Sequence, residues 1–231
     1  MNYEHIRTNY ETLLSNVNQI CTSIGRNFND IMIVAISKTF PVENIKMLHK
    51  LGHIHFGENK VQELKEKYQK LIDTNIKWHL VGHLQTNKVK YIVPFITLIH
   101  SVDNIKLALE INKNAQKINR TIDILVQVNT SDEPQKSGIA PSETRSLCKE
   151  ISKLEHLRLK GLMTIGMLTD NEDIIRENFR TLANLYKELE TEFKDFQYLS
   201  MGMTSDYKIA LEEGANILRI GSAIFGERTY N

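Results

Sequence analysis

Ile31-Met-Ile-Val-Ala-Ile-Ser-Lys38, running on into Thr39-Phe40-Pro41, is the stretch from which the rest of the chain can be read. Its six apolar residues do not alternate with polar ones, and three of them are β-branched isoleucines beside a valine. Such a run reads as a strand buried on both faces, the kind found in parallel sheets. Lys38 cannot lie inside that strand cheaply, but at its carboxyl end it reaches the lip where parallel sheets keep their ligands. Pro41 then suits the start of a helix. Two readings of the amine stand side by side. It is a solvated strand end, or it is a nucleophile that forms a Schiff base with an aldehyde, which requires a deprotonated amine favoured by burial or a nearby cation.

Outward from this strand the pattern repeats. An amphipathic helix over 3–24 precedes it, with Ile6, Tyr10, Leu13, Val17 and Ile24 at three-and-four spacing and Gly25 as its stop. Strands are expected at 31–37, 53–56, 77–81, 97–102, 121–128, 158–164, 197–200 and 217–220. Helical patterns fall between them, at 42–51, 61–71, 104–116, 143–153, 173–193 and 207–213, with a short one after Asn87. Asp103 and Ser142 read as helix caps. Eight strand–helix units in 231 residues point to an α/β fold, a (β/α)8 TIM barrel forming a single domain over 1–231 with an extra N-terminal helix. The rival is an open doubly wound sheet.

Composition narrows the function. A net charge of +1 argues against a nucleic-acid partner held through phosphates. Cys21 and Cys148 make no CxxC motif, which fits a reducing compartment. No leader sequence is visible and no apolar run approaches the roughly 20 residues of a membrane span, so a soluble cytoplasmic protein is expected.

The candidate chemistry gathers at strand ends. Strand seven leads into Leu199-Ser-Met-Gly-Met-Thr-Ser205 and strand eight into Arg219-Ile-Gly-Ser222. Glycines and hydroxyls there are either ordinary turns and caps or donors cradling an anion, as barrels do after strands seven and eight. Arg219 is a salt-bridge partner at the sheet edge or a cation aimed at a heterocyclic nitrogen. Glu58 and Asn59 meet a ligand or cap the next helix. His53, His55, His79 and His83 lack an HExxH context or cysteine partners, so packing or lining the mouth is favoured over a metal site. Met201 and Met203 read as core filler, and Lys113, Lys117 and Arg120 as a solvated helix face.

Taken together, Ala35-Ile-Ser-Lys-Thr-Phe-Pro41, Phe56-Gly-Glu-Asn59 with Val61-Gln-Glu63, His79-Leu-Val-Gly-His-Leu-Gln-Thr-Asn-Lys88, Ser101-Val-Asp103, Lys136-Ser-Gly138, Gly161-Leu-Met163, Leu199-Ser-Met-Gly-Met203 and Arg219-Ile-Gly-Ser-Ala-Ile-Phe-Gly226 resemble the pyridoxal-phosphate homeostasis proteins, nearly end to end. The resemblance implies a barrel like the N-terminal domain of alanine racemase. It implies that Lys38 holds pyridoxal 5′-phosphate (PLP) as a Schiff base. The phosphate would lie among Ser200, Thr204, Gly221 and Ser222, with Met203 beside it, Arg219 toward the pyridine nitrogen and Asn59 near the ring. The family usually has serine where Thr204 stands and a polar residue where Phe40 stands.

Three functions follow. The protein buffers or delivers PLP, with apo PLP-dependent enzymes as recipients; or it is a PLP-dependent amino-acid racemase; or it is another Schiff-base barrel enzyme such as an aldolase. A racemase needs a second proton carrier on the opposite face of the ring. In alanine racemases that is a tyrosine from a partner's C-terminal β-domain, and the chain ends at Asn231 with that domain expected to be absent. An arginine at the pyridine nitrogen also weakens the electron sink. The expectation is a monomeric PLP carrier, with no nucleic-acid or membrane partner and no enzymatic turnover of its own.

Overall fold

The computed structural model describes residues 4–131, 133 and 137–227. Eight strands are hydrogen-bonded in sequence order and close on themselves. They are β1 Met32–Ile36, β2 His55–Glu58, β3 Lys77–Leu80, β4 Leu98–Val102, β5 Ile122–Gln127, β6 Leu157–Met163, β7 Tyr198–Ser200 and β8 Ile217–Ile220. Every pairing is parallel, and closure is made by β1 on β8, from Met32 opposite Ile217 to Ala35 opposite Ile220. An open sheet would leave those two strands unpaired, so the barrel stands.

The helices are α1 Glu4–Ser23, α2 Val42–Lys50, α3 Val61–Lys70, α4 Ile105–Gln116, α5 Pro141–Ile151, α6 Glu172–Leu189, α7 Tyr207–Glu212 and α8 Ser222–Phe225. A 3₁₀ turn over Thr86–Tyr91 follows β3. The expected cap at Asp103 falls one residue later: the Asn104 side chain accepts from the Leu107 amide. Ser142 lies inside α5, which Pro141 opens. The strand expected at 53–56 is displaced to His55–Glu58, because the turn after α2 carries on through His53, whose amide bonds back to Leu48 O. The N-terminal helix has a definite task. Since α8 is only four residues long, it cannot cover its share of the barrel. Helix α1 packs against α2, α7 and α8 and buries Cys21 with Ile6, Leu13 and Val17, each of these three aliphatic side chains worth about 1.5–3 kcal/mol in area removed from water. Among the described residues no helix is long and apolar enough to cross a membrane.

Strand alternation divides the core in two. Outward residues pack beneath the helices in one large cluster. Inward residues, Val34, Ile36, Val81, Leu98, Leu125, Met163 and Ile217, make a smaller one inside the barrel. Counting by twos from these apolar positions, His79, His100 and Arg219 also face inward. So does Ser200, two residues on from Tyr198, which packs against the same cluster.

Candidate functional site

Lys38 stands two residues past the end of β1 and lines a cavity of about 600 Å³ at the carboxyl mouth of the barrel. Asn59, Met203, Thr204, Arg219, Gly221 and Ser222 line it too, with His83, Gln127, Ser137 and Ser205. The residues that the resemblance assigns to the cofactor therefore converge, with one exception. Ser200 is fully buried and lies outside the lining. Its hydroxyl points into the barrel, 2.8 Å from Arg219 Nη1 and 3.0 Å from His100 Nδ1. Bonded to those two side chains, Ser200 is not among the residues that line the pocket.

A buried clamp shapes the Lys38 segment. Lys67 Nζ donates to Ser37 O at 2.7 Å, Glu58 Oε1 at 2.8 Å and Glu63 Oε1 at 2.7 Å. Ser37 Oγ donates to Glu58 Oε1 at 2.6 Å, and the Thr39 amide donates to Glu63 Oε1 at 2.6 Å. Thr39 sits at φ 70°, a conformation rarely adopted by a β-branched residue and tolerated only where the surroundings enforce it. So the residues on either side of Lys38 are tied to α3. Burial pushes the Glu58 carboxyl up to about 7, against the opposing pull of Lys67. Glu58 thus neither meets the ligand pocket nor caps α3. The available signal was the four-residue spacing of Glu63 and Lys67 on one helix.

Other parts of the lining are fixed by close approach. A Cβ on Gly82 would come within 2.3 Å of Asn59 O, so only glycine lets the β3 loop press against Asn59. In the β7 loop, the Met203 amide donates to Asp206 Oδ1 at 2.5 Å. Thr204 Oγ1 accepts from the Ala223 amide at 3.3 Å, joining that loop to the first turn of α8.

Arg219 is 4% exposed and forms part of the cavity floor. Its Nη2 donates to Thr164 O at 2.7 Å. Among the described residues no carboxylate lies within ion-pair distance of it, so the salt bridge at a sheet edge is excluded. Burial draws its pKa down to about 10, with Asp206 pulling the other way, and it remains a cation at neutral pH.

Of the histidines, His83 lines the mouth. His79 packs below it, bonded on one side to His55 and on the other to His100. His100 was not singled out in the sequence; strand alternation could have placed it inward. His53 bonds to Tyr10 and to His55 O. Arg120 departs from the expected solvated face, donating to Val93 O and Ile96 O, while Lys113 and Lys117 are exposed. Lys136 lies outside the described residues.

Comparison with known proteins matches residues 8–229 to the family model for the alanine racemase N-terminal domain. A pyridoxal phosphate homeostasis protein from Aquifex aeolicus is 41% identical over 219 residues, covering 94% of this chain and 96% of that protein. PipY of Synechococcus elongatus, solved with PLP bound, is 31% identical with a TM-score of 0.80, covering 91% of this chain and all of that one. An alanine racemase from Clostridium difficile superposes with a TM-score of 0.77 over 59% of its length at 17% identity, a likeness of fold alone.

Proposed function

Because the chain belongs to the pyridoxal phosphate homeostasis protein family, we propose that it binds pyridoxal 5′-phosphate at the carboxyl mouth of its barrel and buffers or delivers it rather than turning over a substrate. The observation that carries this reading is the convergence of Lys38, the Thr204 and Gly221–Ser222 loops and Arg219 on one cavity. That donor set fits the group: an amine for an aldehyde, hydroxyls and glycine amides for a phosphate, a guanidinium for a ring nitrogen. When bound, PLP supplies an aldehyde that a lysine amine can hold reversibly and a conjugated ring that absorbs visible light.

The chain's own residues do the rest. Lys38 is the anchoring amine, and the clamp of Lys67, Glu58 and Glu63 fixes the backbone on both sides of it. Thr204, Gly221 and Ser222 hold the phosphate. Arg219 can only donate hydrogen bonds, so a ring nitrogen that meets it accepts and stays unprotonated. That arrangement suits holding the group better than drawing electrons into it. A racemase reading would need a second proton carrier. Among the described lining residues, His83 is the one imidazole besides the Lys38 amine, and none is a tyrosine.

The test compares retention of PLP with that of pyridoxal, which lacks the phosphate. Wild-type protein should retain PLP more tightly. Ser222→Ala should weaken PLP by about 1–3 kcal/mol, the scale of one hydrogen bond to a charged group, and leave pyridoxal unaffected. Equal retention of the two compounds would remove the phosphate cradle. Loaded protein should reactivate an apo PLP-dependent enzyme, and an amino-acid panel should show no turnover that Lys38→Ala abolishes.

A further inference from the structure

Beneath the pocket, side chains from five strands join end to end. His55 Nδ1 lies 3.0 Å from His79 Nε2, His79 Nδ1 lies 2.9 Å from His100 Nε2, and His100 Nδ1 lies 3.0 Å from Ser200 Oγ. Arg219 Nη1 completes the series with a 2.8 Å bond to the same hydroxyl. His79, His100, Ser200 and Arg219 are buried, and His55 is half-buried.

The upper end of the series dictates its sense. A guanidinium has no lone pair, so Ser200 Oγ accepts from Arg219. Ser200 Oγ has His100 Nδ1 as its other partner, so the buried serine hydrogen is matched when it goes to that nitrogen. A lone pair at Nδ1 places the hydrogen of a neutral His100 on Nε2, where it donates to His79 Nδ1. By the same step His79 Nε2–H donates to His55 Nδ1. Each buried imidazole then makes one bond as donor and one as acceptor, and no buried polar atom in the series is left unmatched. Desolvation and neighbouring positive charge hold His79 and His100 well below the usual histidine range, so both are neutral as this scheme requires.

A buried guanidinium is costly without compensation; among the described residues no carboxylate comes within ion-pair distance of Arg219, and Asp206 acts on it only from farther off. We propose that the column His55–His79–His100–Ser200 takes the place of an anion. Its imidazoles, held in one tautomer, point their electron-rich nitrogens up the barrel toward Ser200 and Arg219. Aligned hydrogen-bonded groups polarise one another, which strengthens the bond at the end of the series. His79 and His100 are thus positioning residues that act on the pocket through Arg219. The effect on bound PLP rests on the function proposed above; the tautomers of the column do not.

Two experiments separate these parts. In ligand-free protein carrying ¹⁵N-histidine, two-bond ¹⁵N–¹H spectra report each imidazole's tautomer. His79 and His100 should both be neutral with hydrogen on Nε2. Ser200→Ala removes the hydrogen that fixes His100, and both signals should move toward a tautomer mixture although His79 does not touch Ser200. A δ tautomer in the wild type, or a His79 signal indifferent to Ser200→Ala, would overturn the column. In the second experiment, His100→Leu should shift the visible absorption of bound PLP and weaken its retention on the order of tenfold. His100→Asn, whose Oδ1 replaces Nδ1 as the acceptor, should restore both. An unaltered leucine variant, or an asparagine variant as impaired as the leucine one, would overturn the positioning role. Absence of PLP from the wild type would strike at the proposed function and leave the tautomer experiment intact.

Discussion

The same substitution at two glycines should separate the scaffold from the site. Gly161 lies in β6 at φ 147°, and a Cβ there would fall 1.8 Å from Tyr198 O and 2.7 Å from Tyr198 C. Both atoms are backbone of the paired strand β7, so no rotamer change relieves the overlap. Gly161→Ala therefore combines a backbone conformation that side chains rarely adopt, about 1–3 kcal/mol, with forced separation of two strands, about 1–3 kcal/mol on the scale of overpacking. A loss of roughly 2–6 kcal/mol in urea unfolding is expected. Gly221 offers the contrast. Its φ is −113°, and a Cβ there would approach nothing closer than Ile36 O at 3.5 Å, yet it lines the cavity. Gly221→Ala should unfold within about 1 kcal/mol of wild type, as substitutions away from tightly packed features do, while retention of PLP falls because a methyl group enters the phosphate loop. Full stability in Gly161→Ala would refute the close approach of β6 and β7. Full retention in Gly221→Ala would refute the placement of the phosphate.

Lys67→Met should cost about 3–5 kcal/mol by leaving the Glu58 charge unpaired in the interior; adding Glu58→Met should recover most of it, and a single variant as stable as wild type would mean the clamp carries no strain-bearing role. Acidification should weaken the fold. Burial lowers His53 from 6.5 to about 4, so between those values the unfolded chain binds a proton that the folded one refuses, and stability falls as pH falls. At about 1.36 kcal/mol per pKa unit this gap is worth roughly 3 kcal/mol, and His79 and His100, shifted the same way, add to it. Glu58 opposes them between about 7 and 4.5, since its raised pKa favours proton uptake in the folded state. Urea midpoints at pH 7 and pH 4.5 should show a net loss, and a gain on acidification would contradict the neutral buried histidines.

The barrel was legible because its strands are apolar and its helices amphipathic at regular intervals, and the place of Lys38 at the mouth because a charged residue follows an apolar run with Ser37 alone between. What escaped the sequence depended on contacts between distant segments. Glu58 sits inside a strand only because Lys67, nine residues later on a neighbouring helix, meets it in the interior. The role of α1 follows from the shortness of α8, which no local pattern announces. Ser200 and Thr204 both follow the same short run with hydroxyls, and sequence cannot say which points up into the mouth. Alternation along β7 turns Ser200 inward, where Arg219 and His100 wait. The start of β2 was misplaced because His53-Ile54-His55 mimics an alternating strand, when only His55 enters it.

If the Lys38 amine at the end of the first strand holds the cofactor, borohydride should fix the two together. Protein loaded with PLP would be treated with borohydride and mapped by peptide mass spectrometry. A pyridoxyl group on Lys38, absent after Lys38→Ala in a protein that still folds, is the predicted result. A pyridoxyl group found on other lysines and not on Lys38 would mean that this amine does not hold the cofactor.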